Sequence, residues 1–420
     1  MKYVQVTCLL TLLSIMACHS DPAKDSLIYQ LLDEQPGKFR KIIEHPDQYG
    51  LQIIYTQIDR DSLQNPHFSS HYYHVDNNRY FYPASTVKFP IALMAMEKLR
   101  ELDIDGLDLH STMLTDSSRS SQLAVHTDST AANLLPSAGH YIKKIFLVSD
   151  NEASNRLYEF VGQKRINERL AEAGYAQSKI THRLSSFLSK EEDRYTNPIR
   201  FVDDSGKVIY AQAEAYSDYS FPKGTDRHLK GKGYLEQGQL VEQAKDFGES
   251  NEMPLADLHR MLQRVIFPES VPAQQRFNLS DADYQFLYKA MGQLPGESRH
   301  PDYPLPEYYD SYCKFLLFGD SHQPIPEYIR IYNKVGMAYG YLIDNAYIID
   351  EQSGVEFMLS AVIYVNENGI FNDDQYEYES LGFPFLAHLG KIIYAHELKR
   401  KKDYPPDLSR FTSIDYKDKD

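Results

Sequence analysis

A serine and a lysine three positions apart, Ser85 and Lys88, stand where the sequence changes character. The aromatic residues of 80–84 are typical of the end of a strand, and the apolar residues of 87–99 predict a buried helix. Residues i and i+3 of a helix are neighbours, so we expect Lys88 on the face that carries Ser85. A serine hydroxyl becomes a nucleophile when a base removes its proton, and lysine is such a base only if burial or nearby positive charge lowers its pKa. The pair therefore predicts nucleophilic catalysis.

The same spacing occurs twice more, at Ser220 with Lys223 and at Ser311 with Lys314. Neither copy is followed by a long apolar run, so neither predicts a long buried helix. The copy at Ser85 is therefore the one that we expect to be functional. The alternative is that Ser85 is an ordinary helix N-cap.

Two further short motifs follow in the chain: Ser149-Asp150-Asn151 and Lys334-Val335-Gly336. Taken alone, the first is typical of an N-cap cluster ahead of a helix at 153–161, and the second of an ordinary strand. Together and in this order, the three motifs resemble the S-x-x-K, S-D-N and K-T-G set of class A serine β-lactamases and their penicillin-binding relatives.

This resemblance implies catalytic roles for four positions. Ser85 would form the acyl-enzyme with Lys88 as its base, and Ser149 would relay a proton to the departing nitrogen of the substrate. The backbone N–H groups of Ser85 and Met337 would form the oxyanion hole, in which one donor is typically worth about 3 kcal/mol.

The resemblance also implies substrate-binding roles for Asn151, Lys334 and Gly336. Asn151 would hold the amide side chain of the substrate, and Lys334 would attract the carboxylate found on β-lactams and D-alanyl peptides. Val335 departs from the family pattern, which has Thr or Ser here. The missing hydroxyl would cost about 1.5–3 kcal/mol of substrate binding if nothing compensates for it.

A second departure concerns the loop at 183–194. Class A enzymes carry a glutamate on this loop, where it activates the water that hydrolyses the acyl-enzyme. No glutamate lies near the start of the loop here, and Glu191 and Glu192 are predicted to be solvated. Without such a base, Ser85 would be acylated and then turn over slowly, or would pass its acyl group to something other than water.

The remaining pattern predicts the elements that position these residues. We expect an α/β (α+β) class A β-lactamase-like fold, in which an antiparallel sheet is flanked by helices and an all-helical lobe of roughly residues 86–325 is inserted. The predicted helices lie at 26–45, 254–265, 280–291 and 384–399, and the predicted strands at 51–59, 71–82, 329–336, 346–350 and 355–365. Gly206 marks a hairpin between 199–202 and 207–211, in a stretch that is added to the basic scaffold.

The N-terminal residues predict a lipoprotein of the cell envelope, on a periplasmic or outer-surface membrane face. Residues 1–17 are typical of a signal peptide, and Cys18 follows a segment that resembles a bacterial lipobox, so lipid on Cys18 would anchor the protein. The alternative is a plain signal peptide cut at a small residue. We expect a linker at 18–25, the catalytic domain at 26–400 and a flexible tail at 401–420.

Composition narrows the possible partners. The net charge of −15 over 420 residues argues against nucleic acid as a partner. We expect no metal, since His71 and His74 would face opposite sides of a strand, and no cofactor. Removal of Cys8 and lipidation of Cys18 would leave Cys313 as a free thiol, so no disulfide framework is predicted.

These observations favour a class A β-lactamase-like serine hydrolase, with β-lactam ring hydrolysis as the leading reaction. Its substrate would be a small-molecule β-lactam or a D-alanyl peptide. The first alternative is a D-alanyl-D-alanine carboxypeptidase or esterase that uses the same residues. The second is a non-catalytic binding lipoprotein of the cell envelope.

Overall fold

The computed structural model describes residues 26–186 and 188–418. The predicted signal peptide and Cys18 lie outside the described residues. Among the described residues, no helix combines the length and apolar character needed to cross a bilayer.

The centre of the domain is a five-stranded antiparallel sheet in the order β10-β11-β12-β1-β2. Its strands are β1 (Gln52–Arg60), β2 (Pro66–Tyr73), β10 (Ile329–Ala338), β11 (Tyr341–Asp350) and β12 (Val355–Tyr364). The first two strands and the last three come from opposite ends of the chain. Everything between β2 and β10 is therefore inserted into the sheet, as expected for this fold class.

Helices cover both faces of the sheet, which explains why its central strands are apolar on both sides. On β12, Leu359 and Ala361 pack against the terminal helices, whereas Met358 and Val362 pack against the inserted lobe. The described helices are α1 (Leu27–Asp33), α2 (Pro36–Ile43), α3 (Lys88–Leu102), α4 (Ala138–Val148), α5 (Asn151–Val161), α6 (Gln163–Glu172), α7 (Leu255–Ile266), α8 (Asp281–Gly292), α9 (Phe315–Phe318), α10 (Phe383–Lys399) and α11 (Ser409–Thr412).

The inserted lobe contains strands as well as helices, which the prediction of an all-helical lobe did not include. One small sheet has the order β3-β4-β5, and its β4 and β5 form the predicted hairpin around Gly206. The short strands are β3 (Thr112–Thr115), β4 (Ile199–Val202), β5 (Val208–Gln212), β6 (Leu229–Lys230), β7 (Gly233–Glu236), β8 (Gln239–Val241), β9 (Lys245–Asp246) and, beyond the lobe, β13 (Ile370–Phe371).

Two predicted elements differ from the structure near the N-terminus. The helix predicted at 26–45 is divided into α1 and α2, because Pro36 begins a new helix and cannot continue the preceding one. The strand predicted at 71–82 ends at Tyr73, because His74 has a positive φ of 50° that turns the chain out of the sheet.

The C-terminal residues pack against the rest of the domain, whereas the sequence predicted a flexible tail at 401–420. Phe411 is 2% exposed and packs against the rings of Tyr288, Tyr332 and Tyr347. The hydroxyl groups of Tyr416 and Tyr332 lie 2.5 Å apart. The predicted domain boundary at residue 400 is therefore too early, because these aromatic side chains complete the core.

We expect Phe411→Ala to lower the free energy of unfolding by about 3–5 kcal/mol, since it leaves a cavity among three aromatic rings. Urea unfolding followed by circular dichroism measures this change. The control is Tyr404→Ala, because Tyr404 is 42% exposed and its loss should change the stability little. Equal effects of the two substitutions would show that the C-terminal residues do not belong to the core.

Candidate active site

The candidate nucleophile lies on a short 3₁₀ turn, Ala84–Val87, that directly precedes helix α3. Ala84 has a positive φ of 48°, a conformation that non-glycine residues seldom adopt and that clusters at functional sites. The backbone N–H and the hydroxyl of Thr86 both donate to the carbonyl oxygen of Pro83, at 3.1 and 2.7 Å. These bonds fix the turn, and half-buried Ser85 lies between its two ends.

Lys88 is completely buried at the first turn of α3. Its Nζ donates to the Asn151 Oδ1 at 2.6 Å, to the Ser149 Oγ at 3.2 Å and also to the Ser149 carbonyl oxygen. Within the described part of the chain, the Ser85 side chain makes no hydrogen bond, so Ser85 and Lys88 are neighbours in sequence that are not bonded to each other. Catalytic hydrogen bonds commonly tighten only when substrate is bound.

The second motif forms the junction between α4 and α5. Ser149 ends α4 with a positive φ of 59°, and the Asp150 side chain caps α5 by accepting from the Ala153 N–H at 2.8 Å. The N-cap alternative is therefore correct for Asp150. Because Asp150 does the capping, the side chains of Ser149 and Asn151 remain available to Lys88.

The third motif brings a second lysine to the same hydroxyl. Lys334 is 3% exposed, and its Nζ donates to the Ser149 Oγ at 2.8 Å and to the Val335 carbonyl oxygen at 2.9 Å. The Ser149 Oγ thus accepts from two lysines, Lys88 and Lys334. A hydroxyl that accepts hydrogen bonds from two lysine amines gives up its own proton more readily, above all when Lys334 is charged.

Burial lowers the pKa of Lys88 well below the ordinary lysine value, and the nearby charge of Lys334 lowers it further. Burial also lowers the pKa of Lys334 to about 8. A lysine base needs a pKa that is lowered by burial or by nearby positive charge, and both causes act on Lys88.

A close contact joins the third motif to the nucleophile turn. A Cβ added to Gly336 would lie 2.7 Å from the Pro83 carbonyl oxygen, so a glycine is required for β10 to approach this turn. Strand β10 forms the edge of the sheet, which leaves one side of its backbone free of a neighbouring strand. Met337 follows on this edge with a side chain that is 48% exposed.

Val335 points away from the candidate site. Neighbouring strand residues face opposite sides, so Lys334 and Gly336 share the face toward the turn while Val335 packs in the core against the terminal helices. A hydroxyl at position 335 would be buried in that core. The substitution at 335 therefore does not remove a substrate contact from this site.

A buried ionic network behind β10 was missed by sequence reasoning. Lys314 Nζ donates to the Asn333 Oδ1 at 2.7 Å, and Asn333 Nδ2 donates to the Asp344 Oδ1 at 2.8 Å. Asp344 also accepts from the Phe315 and Leu316 N–H groups at 3.1 and 3.0 Å. The Ser311 hydroxyl instead donates to the Ser321 carbonyl oxygen, so the third S-x-x-K copy is a structural support for the strand that carries Lys334.

The loop at 183–193 is closed by Arg183, which pairs with Glu159 at 3.0 Å and with Asp193 at 3.2 Å. Glu191 is exposed, as predicted, but Glu192 is held by the Ser121 hydroxyl and by Arg119. Within the described residues, neither glutamate contacts the candidate site.

The loop residue that reaches the site is Ser185. The Asn151 Nδ2 donates to its Oγ at 2.9 Å. No motif in the sequence pointed to this serine, because the contact depends on how the closed loop folds back.

The residues that the structure describes contain no group of three or more His, Cys, Asp or Glu side chains placed to hold a metal ion. The described site consists of two buried lysine amines that share the Ser149 hydroxyl, next to the turn that carries Ser85.

The chain belongs to the Beta-lactamase enzyme family, which residues 62–282 match. It is a serine hydrolase of this family, and its antiparallel sheet with flanking helices confirms the predicted fold class. No curated protein matches the chain.

Several solved structures are similar to this chain. A β-lactamase from Xanthomonas campestris pv. campestris is 13% identical with a TM-score of 0.47, and the match covers 86% of this chain and 98% of that one. PBP-A is 15% identical with a TM-score of 0.48 over 87% and 95% of the two chains. A β-lactamase from Chitinophaga pinensis is 10% identical with a TM-score of 0.49 over 88% and 98%.

We expect Gly336→Ala to slow acylation by a chromogenic cephalosporin at least about tenfold, because the added methyl group forces β10 away from the Ser85 turn. Stopped-flow absorbance measures the rate. Gly37→Ala is the matched control, since no atom of the described residues lies within 4 Å of its added Cβ. An unchanged rate in Gly336→Ala would mean that the close approach of β10 is not needed for the reaction.

Proposed function

We propose that the protein opens β-lactam rings by forming an acyl-enzyme at Ser85, with ring hydrolysis as the overall reaction. The observation that carries this proposal is the Ser149 hydroxyl held between two buried lysines, 3.2 Å from Lys88 Nζ and 2.8 Å from Lys334 Nζ. A non-catalytic binding protein has no need of two buried lysine amines around one hydroxyl, since burying such groups costs free energy.

In the proposed reaction, neutral Lys88 takes the proton of the Ser85 hydroxyl as the serine oxygen attacks the β-lactam carbonyl carbon. The backbone N–H groups of Ser85 and Met337 stabilise the oxyanion that forms. The C–N bond then breaks, and Ser149 gives its proton to the departing nitrogen. The proton that Lys88 has gained returns to Ser149, so Lys88 is neutral again when the acyl-enzyme is complete.

Lys334 has two roles in this scheme. Its positive charge favours the neutral form of Lys88, and it attracts the carboxylate of the substrate. Asn151 would hold the substrate amide. In the absence of substrate, both of its amide atoms are occupied by Lys88 and Ser185.

A second candidate is a D-alanyl peptidase that uses the same acylation step. The observation that favours it is the Ser185 hydroxyl, which contacts Asn151 where a loop carboxylate would be needed to activate water. A neutral hydroxyl is a poor base for water, so the acyl-enzyme would persist or pass its acyl group to an amine.

The test of Ser85 is covalent labelling by a penicillin, read by intact mass. We expect Ser85→Ala to abolish the adduct. The control is Ser220→Ala, because Ser220 is exposed and begins another S-x-x-K copy. Labelling that survives Ser85→Ala would show that another residue is the nucleophile.

A time course with a chromogenic cephalosporin separates the two candidate reactions. Sustained turnover supports β-lactam hydrolysis, whereas a single stable adduct supports the peptidase. If neither adduct nor turnover is observed, both candidate reactions are contradicted and a binding role becomes the leading alternative.

The pH profile of acylation tests the lysine pair. Lys88 is active when neutral, so we expect the rate to rise with pH through the lowered pKa of Lys88. Lys334→Ala removes a charge that lowers this pKa, so the rising limb should move to higher pH. Lys38→Ala, a loss of an exposed charge, is the control. If the rising limb of the pH profile lies at the same pH in Lys334→Ala as in the unmodified protein, Lys88 is not the titrating base.

A further inference from the structure

We propose that a second pocket, separate from the Ser85 site, binds a small oxyanion through Arg79, Lys230 and Gln52. The pocket has a volume of about 290 Å³ and lies where the start of β1, the segment before Ser85 and the added strand β6 meet. Ser149 and Asn151, the two residues that bind Lys88, do not line this pocket.

The first observation is a buried donor without an acceptor. Gln52 is 1% exposed, and its Oε1 accepts from the Asp76 N–H at 3.1 Å. Because a backbone N–H can only donate, this bond fixes the orientation of the amide, and Nε2 is the atom that remains. No partner of this Nε2 exists among the described residues. Buried amide donors are nearly always hydrogen-bonded, so the unmet donor indicates a missing acceptor.

The second observation is a guanidinium that is satisfied on one side only. Arg79 Nη2 pairs with Asp47 Oδ1 at 2.6 Å, and the Asp47 side chain is 80% exposed. The other nitrogen, Arg79 Nη1, is buried and has no acceptor within the described ranges. The arginine is therefore anchored at the rim of the pocket, and one donor remains available inside it.

The third observation is an uncompensated ammonium group. The Lys230 ammonium group forms no hydrogen bond or ion pair with the residues of 26–186 and 188–418. Burial lowers its pKa, and the positive charges of Arg79 and Arg227 lower it further. Arg227 is itself paired with Glu252 at 2.6 Å, but Lys230 has no such partner. Asp47 and Glu252 pair with the two arginines, which leaves the Lys230 ammonium group without a counter-ion among the described residues and favours an anionic ligand.

The chemistry of these donors defines the ligand. Two cations and one amide N–H can be satisfied together by a group with at least two acceptor oxygens, which is a carboxylate or a phosphate. The rings of Phe81 and Tyr341, 6.5 Å apart, form an apolar wall on which the non-polar part of a ligand can rest. The added stretch between the second and third motifs contributes Lys230, so this insertion completes the pocket.

Isothermal titration of the full chain with inorganic phosphate, and separately with acetate, tests the proposal at constant ionic strength set by chloride. We expect millimolar or tighter binding of at least one of the two anions. Lys230→Met and Gln52→Leu should each weaken it about tenfold or more. The matched control is Lys232→Met, which removes the same charge from an exposed position two residues away.

The two anions distinguish the ligand classes: binding of phosphate alone indicates a phosphate ligand, and binding of acetate indicates a carboxylate. A Lys334→Ala variant separates this pocket from the Ser85 site, because binding here should be unchanged by it. The proposal is wrong if neither anion binds, if Lys230→Met binds as tightly as the unmodified chain, or if only Lys334→Ala abolishes binding.

Discussion

The candidate site depends on one constraint, the complete burial of the Lys88 amine. A buried ammonium group is costly unless acceptors surround it, and Ser149 and Asn151 supply those acceptors. A second lysine, Lys334, then favours the neutral amine over the charged one. The start of α3, the junction of α4 and α5, and the edge strand β10 must all converge for this balance to exist.

The alternation of side chains along β10 explains how one strand can serve both the site and the core. Lys334 and Gly336 face the nucleophile turn, and the residues between and before them face the other side. On that other side, the Asn333 amide bridges Lys314 and Asp344. An edge strand would otherwise have support from one neighbour only, so this network restrains the strand where its chemistry is required.

The structure brings together Lys88, Ser149, Asn151 and Lys334, which the sequence had singled out, but the sequence did not predict their contacts. The i, i+3 spacing placed Ser85 and Lys88 on one turn, but the bonds of Lys88 go to Ser149 and Asn151, which are distant in the chain. The supporting pair of Lys314 and Asp344 also joins distant positions and carries no local signal. The predicted ends of a helix and a strand were wrong where a single residue, Pro36 or His74, ends the element. The packing of the C-terminal residues depends on aromatic contacts between distant positions, which no local pattern encodes.

Asp150 is a carboxylate whose charge raises the pKa of Lys88, but among the described residues the Asn151 Nδ2 donates to a neutral hydroxyl and not to a further carboxylate, which affects both halves of the proposed reaction. A negative charge near Lys88 would favour its protonated form and so raise its pKa. The Ser185 hydroxyl accepts the same hydrogen bond from Asn151 without adding that charge. In the proposed reaction this contact would add no further negative charge near Lys88 and would give water no strong base, so acylation would be favoured over deacylation.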